Sequence, residues 1–149
     1  MKNIVLTFVT AFITIITFAQ KSPVTFTSSA VQKGGGVYEI TIIAKVPSPW
    51  HIYSQNTPGG GPSPTGIEFS KNPLVTPVGK TKEVGSLKKV YDKNFKTNVL
   101  YFDGDVKFVQ LVKVKGNAKT TINANIDYMV CDDEKCLPPT TKTVAVKLQ

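Results

Sequence analysis

A chain of 149 residues, 41% hydrophobic and 19% charged, is the size of one domain with one core, which argues against both a disordered tail and a polytopic membrane protein. Its net charge of +8 comes from lysine alone; with no arginine and no dense basic block it lacks the bidentate fork that reads phosphate or guanine, so its basic surface suits acidic partners or lipid headgroups better than nucleic acid. Two cysteines cannot form a dense disulfide framework, and with a single histidine they leave zinc short of its usual four protein ligands.

The first element is not part of the fold. Lys2 and Asn3 lead into an uncharged apolar run, Ile4 to Phe18, and small Ala19 offers a cleavage point before Gln20. The run is shorter than the roughly 20 residues a spanning helix needs and carries four threonines, so residues 1–19 read as a signal peptide, with an uncleaved anchor as the alternative. No lipobox cysteine follows. Residues 20–149 then form a single exported domain, in a compartment where disulfides form.

From there the dominant period is two, in short runs of β-branched residues and tyrosine divided by Gly, Pro and Asn. The expected strands are Val24–Ser28, Tyr38–Val46, His51–Ser54, Ile67–Ser70, Leu74–Gly79, Val99–Phe102, Val106–Lys115, Ile122–Val130 and Thr143–Leu148. Even positions carry the apolar face of the two clearest: Tyr38, Ile40, Ile42, Ala44 and Val46, then Ile122, Ala124, Ile126, Tyr128 and Val130. No helical stripe is present. About eight strands with turns every ten residues or so predict an all-β fold, an immunoglobulin-like antiparallel β-sandwich. Gln55 to Gly66, rich in Pro and Gly, reads as an irregular surface crossing, since no GK[ST] ending marks a phosphate loop. Lys80 to Thr97 reads as a second, Lys-rich connection.

Chemistry has few places to reside. His51 lies in Trp50-His51-Ile52-Tyr53 with no nucleophile elbow anywhere, so a Ser-His-Asp reading has no serine, and a structural or surface histidine is the plainer reading. Asp132, Asp133 and Glu134 are consecutive in a turn and do not form a glycosidase pair. What remains is Cys131-Asp132-Asp133-Glu134-Lys135-Cys136, followed by Leu137-Pro138-Pro139. Outside the cytoplasm this pair should oxidise, either as a local staple or as a working redox group.

Three features favour the redox group. Closing so short a loop removes little unfolded-chain entropy, on the order of 2 kcal/mol. Extending the alternation of Ile122–Val130 puts Cys131 on the polar parity with Asn125, Asp127 and Met129, which predicts an accessible sulfur. Pro138 and Pro139 restrict the backbone after Cys136 and hold a short hairpin in shape, and strained or exposed bridges are the labile ones. The acids between the cysteines disfavour a thiolate there, against one favourable cation, Lys135, so the disulfide is expected to be attacked by another protein's thiolate and the dithiol then to reduce a third protein.

The chain resembles the N-terminal extracytoplasmic domain of the transmembrane thiol:disulfide interchange reductases, the DsbD family. The resemblance is carried by Tyr128-Met129-Val130-Cys131, Cys136-Leu137-Pro138-Pro139 and Thr141-Lys142-Thr143, and also by Trp50-His51-Ile52-Tyr53-Ser54 and Tyr91-Asp92-Lys93-Asn94-Phe95. It implies a redox pair, Cys131 and Cys136, of which Cys136 forms the mixed disulfide and Cys131 resolves it. It further implies a cap loop, Lys93, Asn94, Phe95, Lys96 and Thr97, whose Phe95 shields the disulfide, and His51 and Tyr53 lining the site.

The implied function is a relay of electrons from a thioredoxin-like donor domain to thioredoxin-fold acceptors in the periplasm, a disulfide isomerase or a cytochrome c maturation thiol reductase. Whether the chain counts as an enzyme, a protein-disulfide reductase component, stays open on the sequence. The resemblance implies no cofactor, no metal ion and no nucleic acid, with a monomer that meets a membrane only through a partner. Two departures stand out: Lys93 and Asn94 replace the cap-loop acids of some relatives, and the membrane conduit and thioredoxin-like domain usually fused to this unit are not in the sequence. The alternative is a non-catalytic binding or folding-helper module whose disulfide clamps a hairpin. A third reading, metal or haem delivery, would need ligands beyond His51, Met129 and the two thiols.

Overall fold

The computed structural model describes residues 22–149; the expected signal peptide, residues 1–19, lies outside them. Ten strands form two antiparallel sheets. The first sheet runs in the order β1 (Thr25–Gly34), β2 (Val37–Lys45), β8 (Val106–Val114) and β5 (Val75–Val84). The second runs in the order β10 (Cys136–Leu148), β9 (Thr120–Cys131), β3 (His51–Tyr53), β7 (Thr97–Phe102) and β6 (Lys88–Asp92), with β4 (Gly66–Phe69) also paired to β9. A short 3-10 turn, Lys115–Asn117, joins β8 to β9.

The expected sandwich is therefore the observed one, and the alternation explains it. Tyr38, Ile40, Ile42 and Ala44 from β2 and Val106, Phe108, Val112 and Val114 from β8 are buried against Ile122, Ala124, Ile126, Tyr128 and Val130 from β9. Strand period two sends each of these sets to one face, and the two faces meet as a single core. The opposite face of β9 keeps Asn123, Asn125 and Asp127 out of that core, with Asn125 and Asp127 accepting hydrogen bonds from Thr143 and Thr141 of β10.

Several boundaries differ from expectation. Strand β1 continues past Ser28 to Gly34 because its pairing with β2 runs on to the Gly34-Gly35-Gly36 turn, all three glycines at positive φ. Strand β10 starts at Cys136 rather than Thr143, and its two prolines sit where the register shifts between Leu137 and Thr140, on an edge strand that tolerates missing N–H groups.

The segment Lys80 to Thr97, expected as a plain connection, holds the end of β5, all of β6 and a tight loop. Strand β6 was invisible to periodicity because Lys88, Lys89, Val90 and Tyr91 are all exposed: an edge strand paired through its backbone to β7 needs no apolar face. Gly85 marks the bend between β5 and β6, where a Cβ would meet the Phe102 ring at 3.1 Å and the Asp105 carbonyl at 3.3 Å.

Phe108 lies at the centre of β8, 1% exposed in the main core, and its replacement in Phe108→Ala is expected to lower unfolding free energy by about 3–5 kcal/mol in urea titration. Val90→Ala on the exposed β6 should stay within about 0.5 kcal/mol of the parent.

Candidate functional site

The site lies where β3 meets the end of β9. Strand β3 is only three residues long, but its register is fixed on both sides: His51 pairs with Cys131 and Ile52 with Val130, while Tyr53 pairs with Tyr101 of β7. Ile52 and Val130 point into the main core, so His51, Tyr53 and Cys131 share the outer face of the sheet.

Cys131 and Cys136 are joined by a disulfide across the mouth of the β9–β10 hairpin, where they are direct strand partners. The intervening turn is held by Asp132, whose Oδ1 accepts the backbone N–H groups of Glu134 at 2.9 Å and Lys135 at 2.7 Å, while its own N–H donates to the Lys135 carbonyl at 2.9 Å. Those two backbone donors, helped by the Lys135 charge, hold the Asp132 carboxyl below the ordinary carboxylate range.

The two sulfurs have opposite environments. Cys136 is exposed on the edge strand, whereas Cys131 is 2% exposed. This corrects the expectation of an accessible Cys131. Its parity is indeed opposite to the core, but the outer face at this end of the sheet is not solvent: Tyr53 and Val99 are buried with Cys131 in a second apolar cluster, against which Tyr101 and Met129 pack.

One polar atom reaches into that cluster. The Tyr53 hydroxyl donates to Cys131 Sγ at 3.1 Å, and His51 Nε2 lies 3.3 Å from the same hydroxyl. The His51 ring stands edge-on to Tyr53, with centroids 5.3 Å apart, and lies at 4.6 Å from Tyr101. Burial pushes the Tyr53 phenol up to about 12, the fields of Asp92 and Tyr101 adding to it. Burial also lowers His51, against the opposing pull of Asp133, Asp92, Asp103 and Asp132, so the imidazole is neutral at pH 7.

Lys93 to Lys96 form the turn between β6 and β7, and Thr97 opens β7. Asp92 closes this turn as Asp132 closes the other, its Oδ1 accepting the N–H groups of Asn94 at 2.7 Å and Phe95 at 3.1 Å; Lys96 adopts φ 53°. Phe95 is half-buried and lies against Gly61, where a Cβ would come within 3.6 Å of the Phe95 Cβ and 3.0 Å of the Thr97 methyl.

The Gly/Pro segment is irregular and partly exposed, as expected, but it is also anchored to the sandwich. Thr57, Pro62 and Thr65 are buried. Thr57 Oγ1 accepts the Leu100 N–H at 2.9 Å, and Glu83 of β5 accepts from the Ser54 hydroxyl and the Gln55 N–H, each at 2.6 Å.

The structure therefore brings Cys131, Cys136, His51 and Tyr53 together and sets Phe95 against the Gly/Pro segment. Sequence reasoning missed Tyr101, Val99 and the field of Asp92; the available signal was the aromatic at Tyr101, on the same strand parity as Val99. Among the described residues, no three or more His, Cys, Asp or Glu side chains gather as a metal site.

An antiparallel β-sandwich with a disulfide at a hairpin mouth, one sulfur exposed and the other buried under an aromatic cluster, defines an immunoglobulin-like domain suited to thiol–disulfide chemistry. The chain belongs to the family described as thiol:disulfide interchange protein DsbD, N-terminal, whose model matches residues 18–148. Both that family and the Cys131–Cys136 disulfide fit thiol–disulfide exchange.

Two solved structures share the fold. The N-terminal domain of DsbD from Neisseria meningitidis, in the reduced form, aligns with TM-score 0.52 and 12% identity over 72% of this chain and 75% of that one. The N-terminal periplasmic domain of ScsB from Proteus mirabilis aligns with TM-score 0.57 and 16% identity over 84% of this chain, which spans 45% of that one. No curated protein matches the sequence.

The burial difference has a direct readout. After reduction, limiting iodoacetamide is expected to alkylate Cys136 before Cys131, as followed by peptide mass; equal rates would mean that the cluster over Cys131 opens freely in solution.

Proposed function

We propose that this domain performs thiol–disulfide exchange outside the cytoplasm, relaying electrons from a thioredoxin-like donor to thioredoxin-fold acceptors through a reversible Cys131–Cys136 disulfide. The observation that carries the reading is the asymmetry of the two sulfurs. A donor thiolate can reach Cys136 in the open, and the bond that breaks then leaves its electron pair on Cys131, where the Tyr53 hydroxyl already donates a hydrogen bond. On the return leg Cys136 forms the mixed disulfide with the acceptor and Cys131 resolves it.

The remaining assignments follow from the family. Lys93, Asn94, Phe95, Lys96 and Thr97 correspond to the family's cap loop, here with Phe95 against Gly61 and Cys136 left exposed, and His51 and Tyr53 line the site. Acceptors are of the disulfide-isomerase or cytochrome c maturation thiol-reductase kind. The Proteus mirabilis neighbour is described as periplasmic, which supports a periplasmic location, with residues 1–19 as the export signal and 20–149 as the working domain. The domain acts as a monomer that meets the membrane through a partner.

Partner trapping tests this. Cys131→Ser leaves Cys136 without a resolving thiol, so it is expected to accumulate mixed disulfides with thioredoxin-fold proteins in a periplasmic extract, all released by reductant, whereas Cys136→Ser should form none. The potential of the pair is expected in the thioredoxin-family range, roughly −120 to −270 mV, in equilibration with glutathione. No adduct, together with a potential below about −300 mV, would mean a structural staple on a binding module.

A further inference from the structure

Exchange at this disulfide requires a proton to enter and leave a buried place. When the bond opens, Cys131 becomes a thiolate inside the cluster of Tyr53, Val99, Tyr101 and Met129; when it closes, the Cys131 thiol must first lose its proton there. Burial disfavours the thiolate, and at 2% exposure bulk water is a poor carrier for the proton. The polar atom at hydrogen-bond distance from that sulfur is the Tyr53 hydroxyl, 3.1 Å away, and the next is His51 Nε2, 3.3 Å beyond it. A phenol pushed up to about 12 cannot hold the negative charge near neutral pH, so Tyr53 serves only to pass a proton on.

We propose that His51 is the proton store of the resolving cysteine: through the Tyr53 hydroxyl, its Nε2 takes up the proton that Cys131 loses as the disulfide closes and returns it as the disulfide opens. The proposal rests on the exchange reading above and assigns His51 a positioning and proton-holding part, with Tyr53 as the group that touches the reacting sulfur.

In the closing step the proton and the electron pair part company. A partner is held on Cys136 as a mixed disulfide, Cys131 S–H donates to the Tyr53 oxygen, and Tyr53 O–H donates to unprotonated His51 Nε2. The thiol proton moves to the Tyr53 oxygen as the phenol proton moves to Nε2. The electron pair freed on Cys131 Sγ forms the bond to Cys136 Sγ, and the bond from Cys136 to the partner's sulfur breaks, so that the partner leaves as a thiolate. Tyr53 ends unchanged and His51 ends as imidazolium. Opening is the reverse.

The disulfide state in the structure is the product of that step. A disulfide sulfur has no proton to give, so Tyr53 must donate to Cys131, and Nε2 must therefore be the donor to Tyr53. The surroundings suit both forms of the ring. Burial lowers His51 so that it is free to accept at neutral pH. The charged groups whose fields act on it are all acidic: Asp132 and Asp133 of the β9–β10 turn, Asp92 at the end of β6 and Asp103 just past β7. The other titratable groups against the ring are Tyr53 and Tyr101. The four carboxylates stabilise the imidazolium once it forms.

The test uses dithiothreitol, which opens a reachable disulfide without any protein partner, so its outcome is separate from that of partner trapping. The rate of opening, referred to the concentration of dithiothreitol thiolate, is expected to fall as pH rises through the His51 titration, by roughly 100-fold, the lower range for a positioned acid–base group. His51→Gln retains a donor for Tyr53 but cannot titrate, and should give a flat profile; Tyr53→Phe, which removes one oxygen, should do the same with the histidine still present.

A second readout needs no variant. Ring nitrogen shifts of neutral His51 should place its proton on Nε2 in the disulfide form and on Nδ1 in the dithiol form. A parent-like profile in His51→Gln, or one tautomer in both redox states, overturns the proposal.

Discussion

The pairing of β3 with the last two residues of β9 is the constraint on which the site depends. Because side chains alternate, the register that puts His51 opposite Cys131 and Ile52 opposite Val130 sends Ile52 and Val130 to the core and leaves His51, Tyr53 and Cys131 together outside. A slip of β3 by one residue would set His51 opposite Val130 and send it into the core, away from Cys131. Three residues make a weak strand alone. Here β3 is held between β9 and β7, and the burial of Ile52 and Tyr53 on its two faces locks the register from both sides.

Strand β9 is long enough to take two partners in tandem on its inner edge, β3 at Val130–Cys131 and β4 at Ala124–Asp127. The chain between them must leave the sheet and return, and that excursion is the Gly/Pro segment. Gly61 lets it come close to Thr97 and Phe95, and Glu83, from the other sheet, fixes its first residues by accepting hydrogen bonds from Ser54 and Gln55. Thr65 then donates its hydroxyl to the Tyr53 carbonyl, returning the chain to the strand it left. The outer face of a sandwich is ordinarily wet. This one carries a second small core, in which Tyr53, Val99, Tyr101 and Met129 gather around Cys131, and a sulfur on the polar parity thereby becomes a buried sulfur.

That history explains what the sequence made legible. Strands with one face in the core, β2 and β9 above all, declare themselves by period two, and the cysteine pair with its two prolines is visible at once. Strand β6 is silent because an edge strand exposed on both faces has no apolar alternation to show. The side of the sheet on which Cys131 sits followed from parity, whereas its exposure did not, since it depends on Tyr53, Val99 and Tyr101 arriving from strands far away in the chain. The closing of both hairpin turns by an aspartate, Asp92 and Asp132, is local chemistry that a reading centred on the cysteines passes over.

The two aspartates also act together on His51, the ring next to Tyr53. Each spends one carboxylate oxygen on two backbone N–H groups, which fixes the carboxylates at the tips of neighbouring hairpins instead of leaving them to swing away. The exposed sulfur therefore closes a turn that carries Asp132, Asp133 and Glu134 against one cation, Lys135, and the Asp132 carboxylate is held in place there by its two backbone hydrogen bonds. The buried sulfur is instead served by a neutral donor. The proposed exchange depends on that asymmetry, because a partner thiolate can meet the exposed Cys136 whereas the buried Cys131 is reached through the bond it shares with Cys136.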